Sequence, residues 1–398
     1  MTVADAGSVY GRSAAPRVFS RLRAEPIDID RAADGWAGLA ESAAVPNAFF
    51  DPAFVVPAAK ALNADVTTLA IRAADGMLAG LMPVAEERLG RIAPALSAFV
   101  HDYGPLGVPA VRADCADDAI AALLDAAVER AGPARPLVLP ILPTEGKLTR
   151  AVFAAAEQLE RDVFIIDAHV RAASHRGADP KAELPKKRRK EYARLLRRLE
   201  DIGPVGLVAA TTTADVSNAL EAFLRLEASG WKGRRGTALA SDPGTKAFAR
   251  AAVSALAERG AASILRLRVG ERDAAMLICL RHGSAVFTWK IAYDETLAHF
   301  SPGALLMLEA PRLLFADDRV ELIDSCAAPD HPMIDGLWRG RRPLATFVIM
   351  PERRRWLARL GLSAHRIETR LRRTARNLRD GASSRRSSKD ANHEPHRH

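Results

Sequence analysis

The sequence contains little cysteine and no long apolar run. Its three cysteines, Cys115, Cys279 and Cys326, form no CxxC pair, which argues against a disulfide framework or a structural zinc site and favours a reducing compartment. No apolar run reaches the roughly 18 residues of a membrane span. Residues 1–26 also lack the apolar segment of a secretory signal. We therefore expect a cytoplasmic protein that holds no metal.

Aromatic residues are also scarce, at 6% of a chain that is 48% hydrophobic, so the core must be mainly aliphatic. This composition is typical of a folded globular protein and excludes global disorder. At about 100–200 residues per domain, the 398 residues predict two domains or one large one.

Most of the chain lacks any excess of one charge, although the net charge is +9. Residues 351–398 contain 14 Lys and Arg against 5 Asp and Glu, so this segment carries the whole surplus and residues 1–350 are neutral. The net charge therefore does not predict a nucleic-acid-binding surface spread over the fold.

The order of predicted elements repeats along the chain. Each half has a strand, two helices, a three-strand meander, then helix, strand, helix and strand, without a repeat at the level of residues. The predicted divisions are a flexible N-terminus (1–15), a first lobe (16–172), a linker and basic helix (173–203), a second lobe (204–350), and a tail (351–398). Within this plan residues 171–185 are a polar linker, and the tail is a basic amphipathic helix that becomes disordered after Arg379.

The segment WKIAYDETLAHFSPGALL at 289–306 resembles the GNAT-related acetyltransferases of the CelD type. These enzymes are similar to the Fem-type aminoacyltransferases, which carry two GNAT-like halves in one chain. The Trp231-Lys232-Gly233 segment and the basic helix before the second half resemble the same family. The resemblance covers roughly residues 15–350 and is strongest over 185–350.

This resemblance implies an α+β fold of tandem GNAT-like lobes, each a mixed, mostly antiparallel sheet with helices on both faces. It also implies an acyltransferase, specifically an N-acetyltransferase. Such an enzyme moves an acyl group from acetyl-CoA or another acyl-CoA to an amine of a small molecule or a saccharide precursor, as in polysaccharide biosynthesis.

Ser301, Pro302 and Gly303 are the predicted donor site. Serine suits an N-cap, proline suits the first helical position, and glycine permits close approach to the backbone. The free N–H groups and the helix dipole would hold a pyrophosphate. In GNAT enzymes the strand before this helix has a splayed backbone beside the donor. Trp289 and Lys290 lie on the corresponding strand, so the resemblance implies that they line the donor channel. The alternatives are a plain helix cap and a core tryptophan.

The chain departs from the GNAT pattern in one loop. GNAT enzymes carry an Arg/Gln-x-x-Gly-x-Gly/Ala loop before this helix, whereas residues 294–303 contain one glycine. Because this loop departs from the pattern, an activated acyl donor other than acetyl-CoA is an alternative. A non-catalytic GNAT-like binding module is a second alternative.

Four residues are candidates for proton transfer, because an amine acceptor must lose a proton and a departing thiolate must gain one. Asp294 and Tyr293 follow the donor strand, and Asp324 ends the next strand as a second candidate base. His331 lies in the loop where GNAT enzymes often place the general acid. The alternatives are a capping aspartate and a surface histidine. Cys326 has no paired histidine and is predicted to be a small buried side chain.

Four further residues are predicted to contact the acceptor. Trp231 and Lys232 end the first helix of the second half, and His101 and Tyr103 lie in a Gly/Pro-rich loop of the first half. A structural turn is the alternative for the latter pair.

Two charged segments suggest other partners. The run 186–190 raises the possibility of an aminoacyl-tRNA donor, although no aromatic residues are interleaved to stack bases and we otherwise expect no nucleic acid. Residues 352–379 form a basic amphipathic helix that suits peripheral contact with the inner membrane surface or with a protein. The alternative is a helix packed on the body. The apolar seam of this helix consists of Trp356, Leu360, Ile367, Leu371 and Leu378.

Overall fold

A computed structural model describes residues 22–28 and 35–390. The predicted flexible N-terminus and the last eight residues of the predicted disordered tail lie outside the described residues. The helices are α1 Trp36–Glu41, α2 Pro52–Ala61, α3 Ala116–Ala131, α4 Lys147–Gln158, α5 Pro180–Glu183, α6 Lys186–Glu200, α7 Thr213–Ser229, α8 Trp231–Arg234, α9 Pro243–Glu258, α10 Pro302–Leu314 and α11 Arg355–Asp390. The strands are β1 Arg23–Asp28, β2 Val66–Arg72, β3 Leu78–Leu89, β4 Ala93–Ala98, β5 Ala110–Val111, β6 Leu137–Pro143, β7 Val163–His175, β8 Val205–Ala210, β9 Ala262–Val269, β10 Arg272–His282, β11 Ala285–Tyr293, β12 Leu322–Asp324 and β13 Arg341–Ile349.

The described strands form one mixed sheet in the order β1-β2-β3-β4-β6-β13-β7-β12-β11-β10-β9-β8, and β5 pairs with β3. The β4–β6 and β11–β12 pairs are parallel, whereas the other pairs are antiparallel. Successive side chains of β10 enter different cores, as the period of a strand requires. Ile278 packs in the core that includes α7 and α9, and Leu277 packs in the core that includes α10. The predicted mixed, mostly antiparallel sheet with helices on both faces is confirmed.

Two long strands join the halves. β13 lies between β6 and β7 although it comes near the end of the second half. β7 pairs with β13 over 163–172 and then with β12 over 173–175. The prediction of a polar linker from residue 171 is therefore wrong for 171–175. Residues 171–175 form a strand because β13 and then β12 supply backbone partners, and because Asp324 neutralises the buried Arg171.

The sheet opens between β11 and β12. The two strands pair only over 285–287 and 322–324, after which their hydrogen bonding stops. On the other side of β11, Ile278 pairs with Lys290 and Cys279 pairs with Thr288, so Trp289 is an extra residue in a β-bulge. The bulge and the lost pairing leave a gap beside residues 288–293.

The final helix, α11, extends beyond its predicted end at Arg379 and reaches Asp390. Arginine, lysine and alanine favour helix, and no proline interrupts the chain before Pro395. Among the described helices, none has the length and hydropathy that a bilayer-spanning segment needs.

Candidate active site

A cavity of about 760 Å³ lies beside the gap between β11 and β12. Its walls come from α6, the end of α7, α8, β11, the start of α10 and the loop 325–334. It brings together most of the residues predicted for the site: Trp231, Lys232, Trp289, Lys290, Tyr293, His331 and the segment 301–303.

The start of α10 forms one wall of this cavity. Ser301 occupies the N-cap position with φ of 52° and makes no side-chain capping bond, so the expected capping by its hydroxyl is not made. The reason is local: the chain arrives through a 3-10 helix, Glu295–Phe300, and turns through the left-handed region at Ser301. Pro302 is the first helical residue, as predicted. A Cβ atom on Gly303 would lie 3.6 Å from Ile291 Cδ1, an ordinary contact, so the fold itself does not require glycine there.

A buried ion pair forms the opposite wall. Lys232 Nζ donates to Glu227 Oε1 at 2.9 Å and to the Ile291 carbonyl oxygen at 2.8 Å. Glu227 Oε2 accepts from the Leu239 N–H at 2.8 Å. This arrangement ties α7 and α8 to the open side of β11, and it fixes a lysine beside the gap.

Glu227 was not among the predicted site residues. Its signal in the sequence is its position on the apolar face of α7, where Val216, Leu220, Phe223 and Glu227 recur at helical spacing and are all buried. A carboxylate at a core position of an amphipathic helix needs a buried partner, and here that partner is Lys232.

Lys290 places a second amine at the cavity. Its Nζ lies 4.8 Å from the centre of the Tyr103 ring and 5.9 Å from that of Trp289. Burial and the neighbouring charge of Lys232 lower the pKa of Lys290. Trp289 in turn donates from Nε1 to the Tyr103 carbonyl oxygen at 2.7 Å. Tyr103 thus stands directly behind the cavity wall, whereas it was predicted to contact the acceptor.

His331 and Tyr293 face the cavity from two sides. The Nδ1 atom of His331 is buried and has no hydrogen-bond partner among the described residues. The Tyr293 ring stands at the start of α10, 3.7 Å from where a Cβ atom on Gly303 would lie. Both residues therefore line the cavity, as the sequence predicted.

Asp294 does not line the cavity, which corrects its predicted role as a base. Its carboxylate caps the 3-10 helix by accepting from the N–H and the hydroxyl of Thr296, at 2.9 and 2.7 Å, and it pairs with Arg272. Burial raises the pKa of Asp294, but the bonds from Thr296 and Arg272 outweigh it and lower the pKa overall. The alternative of a capping aspartate is the one that the structure supports.

Asp324 is likewise unavailable as a base, because it is fully buried between two arginines. Arg342 Nη1 lies 2.7 Å from Oδ2, Arg171 Nη1 lies 3.4 Å from Oδ1, and the Cys326 N–H donates to Oδ1 at 2.7 Å. Although burial raises its pKa, the two guanidinium groups lower it overall. Asp324 joins β12 to β7 and β13.

His101 is partly buried among aromatic side chains and does not line the cavity, contrary to its predicted contact with the acceptor. Its ring lies 4.9 Å from that of Phe99 and stacks on Phe54 at 6.2 Å. Burial, with the charge of Lys290, lowers the pKa of His101 to about 4. Cys326 lines the cavity, and burial raises the pKa of its thiol well above the usual range.

Trp231 lies at the start of α8 and lines the cavity. The Trp231 N–H donates to Glu295, and Arg235 packs over its ring at 5.1 Å, so α8 is fastened to the 3-10 helix before α10. Within residues 22–28 and 35–390, no group of three or more His, Cys, Asp and Glu side chains is arranged to hold a metal ion.

Residues 186–331 match the family model described as the acetyltransferase (GNAT) domain, a range that includes the whole cavity wall except for its last residues. Over this range the chain resembles a GNAT-related acetyltransferase domain. No curated protein matches the sequence. The CelD type stays a prediction.

The solved structures support the same fold. The crystal structure of FemX aligns with a TM-score of 0.50 at 11% identity, over 84% of this chain and 99% of that chain. A conserved protein of unknown function from Bacteroides thetaiotaomicron VPI-5482 also aligns with a TM-score of 0.50, at 15% identity, over 81% of this chain and 98% of that chain. A tandem GNAT protein from the clavulanic acid biosynthesis pathway aligns at 0.41 and 16% identity, over 83% and 99%. The alignments with FemX and the Bacteroides protein therefore show a shared fold that extends across both halves of this chain.

Proposed function

We propose that this protein transfers an acyl group from a coenzyme A thioester to an amine in the cavity of its GNAT domain. The observation that carries this proposal is the gap between β11 and β12, which opens at a β-bulge and is closed at one end by the start of α10. A CelD-type enzyme acting on a small molecule or a saccharide precursor is the finer form of the proposal, with acetyl-CoA as its donor.

The pyrophosphate of the donor would lie at the first turn of α10. The N–H groups of Gly303 and Ala304 have no partner within their own helix, because the first four N–H groups of any helix lack one. The helix dipole adds positive potential there. Gly303 lines the cavity without a side chain, so no Cβ atom separates this turn from a ligand.

The thioester carbonyl would lie against β11. Lys232 binds the Ile291 carbonyl oxygen from the cavity side. In an antiparallel strand the N–H and C=O of one residue point to the same side, so the Ile291 N–H faces the gap as well. An N–H group at that place would stabilise the negative charge that develops on the carbonyl oxygen during acyl transfer.

Proton transfer then falls to His331 and Tyr293, since Asp294 and Asp324 are engaged elsewhere. The amine nitrogen attacks the carbonyl carbon, forms the C–N bond and expels the thiolate as the C–S bond breaks. The imidazole of His331 takes the proton that the amine loses, and the Tyr293 hydroxyl gives a proton to the thiolate.

Calorimetry with acetyl-CoA on the full chain tests the proposal. We expect micromolar binding that Gly303→Leu abolishes, because the leucine would cover the first turn of α10. Gly206→Leu is the matched control, since Gly206 is exposed on the edge strand β8 with no atom near its Cβ position. About 0.3 M salt suppresses nonspecific attraction of the donor to the basic tail.

No binding at about millimolar acetyl-CoA would contradict this proposal. Two candidates would then remain: an aminoacyl-tRNA donor and a non-catalytic binding module. The exposed side chains of Lys186, Lys187 and Lys190 on α6 favour the tRNA candidate, since α6 also lines the cavity through Arg188. Transfer activity that ribonuclease destroys would identify it.

A further inference from the structure

The helix α11 is clamped to the body by one of its faces. Gly361 and Gly90 allow the helix to touch the β3–β4 turn, because a Cβ atom on Gly90 would collide with the Gly361 carbonyl oxygen. Ala358 and Leu362 are buried in the same contact, against a core that includes Leu89. This face of the helix is therefore fully used in packing.

Ion pairs prevent the helix from turning about its axis. Arg91, in the β3–β4 turn, binds Glu368 at 2.7 Å, and Asp167, in β7, binds His365 Nε2 at 2.7 Å. Arg355 pairs with Asp162 at the start of the helix. These pairs, together with the packed glycine contact, hold residues 355–371 of the helix in one orientation on the body.

The opposite face presents an apolar stripe to solvent. Trp356 is 67% exposed, Leu360 47%, Ile367 60% and Leu371 65%. Their spacings of four, seven and four residues place them in one row along the helix. Large apolar side chains in a contiguous exposed row indicate an interaction surface, and tryptophan is typical of the water–lipid boundary.

Positive charge borders this stripe. Arg359 and Arg366 are exposed one turn from it along the helix, and the whole segment 351–398 has a net charge of +9. A second copy of the chain would bring two such charged surfaces together, which their repulsion opposes. An anionic surface would instead be attracted.

We propose that α11 docks on an anionic phospholipid bilayer, with the row Trp356, Leu360, Ile367 and Leu371 inserted among the acyl chains near the headgroups. Arg359 and Arg366 would bind lipid phosphates, and the body of the protein would stay above the surface. A clamped helix loses little conformational entropy on docking, because its helical form and its orientation already exist before the membrane is met. This proposal does not depend on the acyltransferase proposal.

Vesicle sedimentation with the full chain tests it, using phosphatidylcholine vesicles with and without about 30% phosphatidylserine. We expect binding to the anionic vesicles at least about tenfold stronger than to the neutral ones at about 0.1 M salt. The double variant Trp356→Ser/Ile367→Ser should lose about tenfold or more of this binding. The variant Arg359→Gln/Arg366→Gln should bind more weakly and with a smaller salt dependence.

The matched control is Ile202→Ser/Val208→Ser, which removes two exposed apolar side chains far along the chain from α11. It should bind as the unchanged protein does. Equal binding of the two double-serine variants would overturn the proposal, as would no preference for anionic vesicles. Absence of vesicle binding, together with a dimer that Trp356→Ser/Ile367→Ser dissociates, would overturn it in favour of a second copy of the chain.

Discussion

Each half of the molecule has a gap beside a short pair of parallel strands. Only the gap of the second half opens into a cavity. In the first half the parallel strands β4 and β6 pair only over 96–97 and 137–138, as β11 and β12 pair only briefly in the second half. The chain after β4 returns into its own gap, and the chain after β11 turns away into α10. The same order of elements thus produces a filled site in one half and a cavity in the other.

The filling of the first gap is specific. Asn47 Nδ2 donates to the carbonyl oxygens of Leu106 and Val108 at 3.1 and 2.8 Å, and Gly107 approaches the Pro140 carbonyl oxygen so closely that a Cβ atom would collide with it. The Gly107 N–H also donates to the Ile141 carbonyl oxygen at 3.4 Å, so the loop bonds directly to β6 beside the gap. The segment that follows β4 in the first half and β11 in the second half, and not the order of the strands, therefore decides which half can bind a ligand.

The largest expected effect is at the junction of the halves. Asp324→Asn should lower the free energy of unfolding by about 3–5 kcal/mol, because it leaves Arg171 and Arg342 buried without their counter-ion. Urea unfolding measures the change. Asp317→Asn, which breaks the partly exposed pair with Arg319, is the control and should cost less than about 1 kcal/mol. Equal losses in the two variants would mean that Asp324 does not join the halves.

The next largest effect is expected from acid, which should lower the free energy of unfolding through His101 in the first half. Its pKa falls from 6.5 to about 4 on folding, so the unfolded chain binds the proton more tightly. The resulting stability is complete above pH 6.5 and is lost progressively towards pH 4, by about 3 kcal/mol. His282, whose pKa is also about 4 because of burial, adds a similar loss.

His101→Phe should therefore remove about half of this decline, which urea unfolding at several pH values between about 7.5 and 4.5 would measure. Phenylalanine keeps the ring contacts with Phe54 and Phe99 and cannot take up a proton. An unchanged decline in this variant would contradict the burial of a neutral His101.

Substitution of His331, which lines the cavity of the second half, should instead affect catalysis. His331→Ala should lower the acyl-transfer rate about 100-fold, within the range that loss of a proton acceptor causes. His101→Phe should leave that rate within about threefold, because His101 does not reach the cavity. Initial rates of thiol release measure both. Similar rates for His331→Ala and the unchanged protein would exclude His331 from proton transfer.

The smallest effect is expected from substituting Gly107, which lies in the loop that fills the gap of the first half. Gly107→Ala should cost about 2 kcal/mol of stability, because the added Cβ must displace the Pro140 backbone. Donor affinity should stay within about twofold, since this gap binds no donor. Thermal unfolding and calorimetry together measure the two quantities, with Gly206→Ala as the control. A large loss of donor affinity would show that the first half takes part in binding.

Local sequence signals predicted much of the second half. The start of α10 at Ser301-Pro302 and the basic face of α6 both depend on neighbours within one or two helical turns. The resemblance at 289–306 adds the domain type. These signals are sufficient to predict the part of the cavity wall that runs from β11 through α10.

The partners of charged residues were not predictable in this way. Asp294 and Asp324 both follow strands beside the cavity, and only their contacts show that neither carboxylate is free. The Asp324–Arg171 pair joins residues 153 positions apart. Glu227 was missed because its partners, Lys232 and the Leu239 N–H, come from segments that meet only after α7 and α8 have packed.

Periodicity and local backbone preferences were enough to predict the order of elements, the start of α10 and the amphipathic character of the tail helix. The tertiary structure decided the insertion of β13 beside β7, the gap that stays open, the acids that are neutralised and the face of α11 that remains exposed. These depend on contacts between distant segments, where burial and desolvation select one set of partners from many that the sequence permits.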